Sequence, residues 1–203
     1  QLSGKSVLSA FRAPTDNDRN VINKWANINI WEGENLDCAF SKVYDCHVED
    51  GVIKLTGSLA GVSRMPFMRY EQTVTVSGKG KITYTLRGQI RDGVIWLPRL
   101  GYEFELSESS KEFIYYGRGP VENYCDMHNW TPVGMYNSNA DNEYVNYVRP
   151  QEHGNHAEVK MLKIGKLEFT SQVGMEINVS RYSTAALYKA NHTEELVADG
   201  KIH

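Results

Sequence analysis

Three cysteines without a CxxC spacing, no apolar run long enough to span a bilayer, and no surplus of either charge stand out first in this 203-residue sequence. Cys38, Cys46 and Cys125 are an odd number and too scattered for a structural zinc site or a disulfide framework. A Cys38–Cys46 bridge across a hairpin is the one pairing to weigh, and reducing compartments disfavour it. A net charge of -3 leaves no clustered basic footprint, which excludes nucleic acid as a partner. The missing apolar run excludes a spanning helix and a membrane partner, and the first residues show no signal-peptide pattern. Internal repeats and low-complexity tracts are absent too. What is present is a globular composition, 41% hydrophobic and 23% charged, with twelve tyrosines and four tryptophans. Such amphipathic rings fill sheet cores and also cover polar ring-shaped ligands.

Taken in order, the chain is dominated by short alternating runs. Leu2 to Arg12 reads as a strand interrupted by Gly4, followed by the turn APTDND. Val21 to Phe40 holds a short helix through Trp25 that Asn23, Asn27 and Asn29 weaken. Ser41 to Glu49 and Val52 to Gly61 flank Asp50-Gly51, a strong hairpin signal, and Met68 to Ser77 with Ile82 to Ile90 predict a second hairpin. Gly101 to Ser107 and Glu112 to Gly117 alternate around the turn ESSK. His156 to Ile164, Lys166 to Gln172 and Met175 to Arg181 follow as short strands with Gly165 and Gly174 at their boundaries. Thr184 to Leu196 has helical spacing. Strands this regular predict an antiparallel β-sandwich.

The chemistry concentrates between Tyr115 and His156, which opens with YYGRGPVENYCD and closes with YVRPQEHGNH. GRGP lacks both phosphate-loop spacings. Gly117 and Gly119 are instead expected to supply unusual backbone angles at a strand end, with Pro120 stiffening the turn that presents Glu122, Asn123 and Tyr124. His153 and His156 stand three apart beside Glu152, but Gly154 and Pro150 favour a turn over the helix that would converge two imidazoles on a metal. Glu152 with either histidine could serve as a base and acid pair, or as a loop clamp. Glycoside hydrolysis needs two carboxylates about a bond. Glu122, Asp126, Asp141, Glu143 and Glu152 are candidates, and spacing selects no pair among them. The Asn178-Val179-Ser180 and Asn191-His192-Thr193 tripeptides match a glycosylation pattern that arises often by chance.

With FRAPTDND (Phe11 to Asp18), YYGRGPVENYCD, YVRPQEHGNH and INVSRYS (Ile177 to Ser183) in the same order over nearly the whole chain, the sequence resembles the C-terminal β-sandwich domain, the small-chain or domain 5 type, of bacterial glycoside hydrolase family 2 β-galactosidases. The resemblance implies an all-β, antiparallel super-sandwich of the galactose mutarotase-like type, one domain over residues 1–203 that lacks its last strands, since Gln1 and the turn at Asp199-Gly200 both read as cut from a longer chain. It implies a retaining enzyme for terminal β-D-galactosides whose two catalytic glutamates lie in a barrel domain. No catalytic residue is therefore expected here, and the fragment alone should be inactive. No cofactor or metal site is expected in this segment either; the family often uses magnesium and sodium ions in other domains. None of Trp25, Trp31, Trp96 or Trp130 matches the family's late pocket tryptophan. The expected pocket-shaping or carbohydrate-binding residues are Arg118, Glu122, Asn123, Tyr124, Arg149, Glu152, His153 and His156, with Arg118 and Arg149 as bidentate partners of carboxylates. Arg12, Asp16, Asn17 and Asp18 form an expected domain-docking loop. The implied partners are the remaining domains of the same chain, a galactoside and further copies in a homo-oligomer, in a bacterial cytoplasm or periplasm. The alternative is an autonomous carbohydrate-binding or mutarotase-like module.

Overall fold

In the computed structural model, residues 2–4, 6–21, 31–93 and 97–203 are described. The expected short helix through Trp25 lies outside them. Regular structure is almost entirely antiparallel β-sheet, as the alternating runs require. Two compact units emerge, one from Leu8–Arg12 and Asn17–Gly101, the other from Gln1–Val7, Ala13–Asp16 and Tyr102–His203. The expected strand from Leu2 to Arg12 contracts to Val7–Ser9, with an isolated bridge between Leu2 and Leu106.

The first unit is built on a four-stranded meander of β1 (Ala39–Glu49), β2 (Val52–Gly61), β3 (Met68–Val76) and β4 (Ile82–Ile90), each paired with the next. Both hairpins form where the turn chemistry places them. Glu49 pairs with Val52 around Asp50 and Gly51, whose φ values of 47° and 76° give the doubly left-handed turn that matches strand twist. Val76 pairs with Ile82, and the Ser77 amide donates to the Lys81 carbonyl at 2.9 Å. Alternation sorts the side chains into two faces. One carries Lys42, His47, Lys54, Glu71 and Arg87; the other carries Val43, Cys46, Val48, Ile53, Val74 and Tyr84 across all four strands. A bulge at Tyr44, where Val43 pairs with Gly57 and Asp45 with Thr56, sits within β1.

The second unit holds a four-stranded sheet of β5 (Glu112–Arg118), β6 (Val133–Asn139), β7 (Asn155–Ile164) and β8 (Leu167–Asn178), in the order β8-β7-β5-β6. β5 alternates strictly, burying Phe113, Tyr115 and Gly117 while Ile114 and Tyr116 face out. Phe113 and Tyr115 join Val159, Leu162, Ile164 and Ile177 in the core, each such side chain contributing about 1.5–3 kcal/mol of burial. Lys201–Ile202 pairs with Leu106–Ser107 at its margin. Two expectations are corrected here. Gly165 does end a strand, but Gly174 does not: β8 continues through it as a bulge, with Ser171 Oγ donating to the Gly174 carbonyl at 2.9 Å. The helix expected to Leu196 stops at Lys189; Ser183 caps its first turn by accepting from the Ala186 amide, and Ala190 is already extended. A separate turn covers Thr193–Glu195. Among the described residues no helix is long and apolar enough to cross a membrane, and all three cysteines are exposed and outside any disulfide, so the Cys38–Cys46 bridge does not form.

Candidate functional site

Strands β5 and β7 are neighbours in the sheet, which brings the two ends of the Tyr115 to His156 stretch together. At their meeting point the Tyr115 hydroxyl lies 3.0 Å from His156 Nδ1, with the two ring centroids 4.5 Å apart and the planes tilted by 35°. His156 Nε2 lies 2.8 Å from Glu143 Oε2, and Ser138 Oγ donates to the other Glu143 oxygen. A carboxylate at Nε2 holds the ring proton there, so in the neutral ring Nδ1 accepts from Tyr115. The Arg118 carbonyl also lies 3.2 Å from Nδ1. Burial first, and then the Glu143 charge, push the Tyr115 phenol well above its ordinary range, which keeps its proton in place. Tyr115, His156 and Glu143 are all buried.

A second set of bonds staples the loop after β5 to the start of β7. Asn123, wholly buried, donates through Nδ2 to the carbonyls of Arg118 and Val121 at 3.1 and 3.0 Å and accepts at Oδ1 from the Ala157 amide at 2.8 Å. Its amide donates to the Asn155 carbonyl at 2.7 Å, and Asn155 Nδ2 returns a bond to the Asn123 carbonyl at 2.8 Å. Glu122 accepts from Tyr147 Oη at 2.5 Å, from the Gly154 amide at 2.9 Å and from Tyr124 Oη at 3.3 Å. Burial together with that carboxylate raises the Tyr147 phenol to about 12. Gly154 can present its amide this way because it adopts φ +70°, and a Cβ there would meet the Glu143 carbonyl at 2.9 Å.

The remaining expected residues fall as follows. Arg118 Nη1 donates to the carbonyls of Thr131 and His128 at 2.8 and 3.3 Å, and its Nε lies 3.0 Å from Glu158, which the bulge in β7 between His156 and Val159 presents at φ 54°. The contact is not the bidentate fork expected. Arg149 has no carboxylate partner among the described residues, and its Nε is buried without a hydrogen bond. Glu152 is buried and accepts from Asn178 Nδ2 at 3.4 Å, while Asn178 also donates to the His153 carbonyl. His153 Nδ1 donates to the Gln151 carbonyl at 2.8 Å, its ring edge-on to Tyr144. The two imidazoles thus turn to different partners. Neither Gly117 nor Gly119 has the unusual backbone angle expected. Both are required for close approach: a Cβ on Gly117 would meet the Val159 backbone at 2.9 Å, and one on Gly119 would meet Tyr136 at 2.8 Å. In the docking loop, Arg12 grips buried Asp18 with two bonds of 2.6 and 3.0 Å and donates to the Pro98 carbonyl. Asn17 is exposed in that unit; in the other, the Asp16 amide donates to Gln151 at 2.8 Å.

Beside this polar knot opens a cleft of about 470 Å³ lined by Val121, Glu122, Met127, Trp130, Asn142 and Glu143, among others. Trp130 is 63% exposed on its wall. Of the expected pocket residues, Glu122 alone lines this cleft among the described residues. Sequence reasoning named Glu143 as one loose carboxylate among several and missed its pairing with His156, along with the roles of Tyr147 and Asn155.

A family model described as beta galactosidase small chain matches residues 1–203. The chain is 32% identical to a β-galactosidase from Lactobacillus delbrueckii subsp. bulgaricus over 92% of its own length and 19% of the relative's. It is 30% identical to the Streptococcus thermophilus β-galactosidase over 93% and 19%, and 26% identical to that of Actinobacillus pleuropneumoniae over 96% and 20%. It spans about a fifth of the length of these curated relatives.

Proposed function

Because the chain belongs to the β-galactosidase small-chain family, we propose that it is a non-catalytic segment of an enzyme that hydrolyses terminal β-D-galactosides with retention, and that it supports the catalytic barrel and shapes the pocket rim. One observation carries the reading: the two glutamates at the cleft, Glu122 and Glu143, are held by bonds from within their own unit. Glu143 accepts from His156 and Ser138, and Glu122 from Tyr147, Tyr124 and the Gly154 amide. A general acid and a nucleophile need an oxygen free for substrate, and both oxygens of each of these carboxylates already accept a bond. In this reading both glutamates of the reaction, and any magnesium or sodium the enzyme uses, sit in its other domains, and the whole chain works as a homo-oligomer. The test is turnover of a chromogenic galactoside. The full-length enzyme hydrolyses it and the 203-residue chain does not; turnover by the isolated chain that a Glu143→Gln change abolishes would overturn the proposal.

The cleft favours a second reading, a carbohydrate-binding or mutarotase-like module. An exposed indole beside carboxylates and amides suits the apolar face and hydroxyls of a pyranose. Calorimetric titration with galactose and lactose decides it, and the absence of heat at millimolar sugar removes it.

A further inference from the structure

The apolar face of the β1–β4 meander is as exposed as a charged face should be. Val43, Val48, Val76 and Ile82 are 49%, 66%, 47% and 51% exposed. Their cross-strand neighbours on that face are Cys46, Ile53, Val74 and Tyr84. The opposite face carries Lys42, His47, Lys54, Glu71 and Arg87, the composition of a solvated surface. An antiparallel sheet patterned in this way keeps one side wet and buries the other, and a contiguous apolar patch over four strands marks a surface meant to be covered. Toward the other end of these strands the same face is already buried, at Leu59, Met68 and Tyr70. The exposed half therefore continues a core that is present.

We propose that this face, centred on Cys46, Val48, Val74 and Tyr84, docks an apolar surface from another part of the same full-length polypeptide. The inference rests on the reading that the chain is one segment of a longer β-galactosidase. What commits the face to that occupant is length: the segment accounts for about a fifth of its relatives' chains, so most of the polypeptide lies outside it and is tethered to it at high effective concentration. A second copy of the chain is the competing occupant. Cys46 is a built-in reporter, since it is a free thiol pointing from that face and is exposed here.

The experiment pulse-labels native full-length enzyme with N-ethylmaleimide and reads modification at Cys46 by peptide mass spectrometry, against the same enzyme unfolded in urea. Cys46 is expected to react about tenfold or more slowly in the native enzyme, with protection unchanged when dilution leaves only monomers. A smaller slowing overturns the proposal, and so does protection lost on dissociation, which assigns the face to a second copy. Galactoside turnover is measured on the same sample. Active enzyme with unprotected Cys46 removes the interface and leaves the functional reading standing. Protected Cys46 without turnover does the reverse.

Discussion

Around Tyr115 and His156 the buried side chains include the polar Asn123, His156 and Glu143, whereas along the meander valines and isoleucines stand in solvent. The two regions invert the usual rule in opposite directions, and the reason differs. A buried polar group is tolerable when each donor and acceptor finds a partner, and those of Asn123 do so within the unit. An exposed apolar face has no such internal remedy. Its completion has to come from outside the unit. Polarity at the knot therefore reports self-sufficiency, and apolarity on the sheet reports dependence.

The largest way to break this contrast is to strand a partner inside the knot. Glu143→Ala leaves buried His156 Nε2 without an acceptor, takes the partner of half-buried Ser138 Oγ, and should cost about 3–5 kcal/mol, read as a fall in the urea midpoint at unchanged slope. Asn123→Ala removes three bonds from the staple and should cost about 3 kcal/mol by the same measurement; a loss under about 1 kcal/mol would mean that the staple is not holding the loop. Next comes alkaline pH. The Tyr147 phenol is raised to about 12 in the folded state, so an unfolded chain releases that proton first, near its ordinary pKa of about 10. Its contribution is full below about pH 10 and is lost as pH rises toward about 12, and Tyr147→Phe should flatten that part of the stability profile. The smallest effect belongs to the other region: in the 203-residue chain Val48→Lys should change stability by no more than about 0.5 kcal/mol, because the site is already wet. The same change in the full-length enzyme should be clearly destabilising, measured as a fall in Tm.

How much of this was legible in the sequence follows the same division. The meander was, because Asp50-Gly51 and the alternation of β3 and β4 are local signals that need no tertiary context. Gly174 misled, since a glycine marks a bulge as readily as a strand end and only pairing with β7 distinguishes them. The helix beginning at Thr184 was visible, and its early end at Lys189 was not. In the candidate site the stretch was visible as a unit, but its wiring was not. Glu143 and His156 lie thirteen residues apart on a loop and a strand, and no periodicity relates such positions. Arg149 shows the converse: its type suggested a carboxylate partner, and the fold supplies none among the described residues.

The bulge at Tyr44 has a bearing on which length changes β1 can absorb. Beyond it every side chain of the strand points opposite to where an unbroken count from Val43 would put it, so the hairpin tip keeps its apolar set aligned with Ile53 and Val74 by virtue of one surplus residue. Losing Tyr44 itself would restore one-to-one pairing and leave both halves facing as they do. Losing Asp45 would do the same, with Tyr44 taking its place opposite Thr56, whereas losing His47 would rotate part of the strand out of phase with its neighbour. The pair Tyr44–Asp45 thus acts as the slack in the strand's count, and a family lineage that shortens β1 by one residue can take it from either of the two.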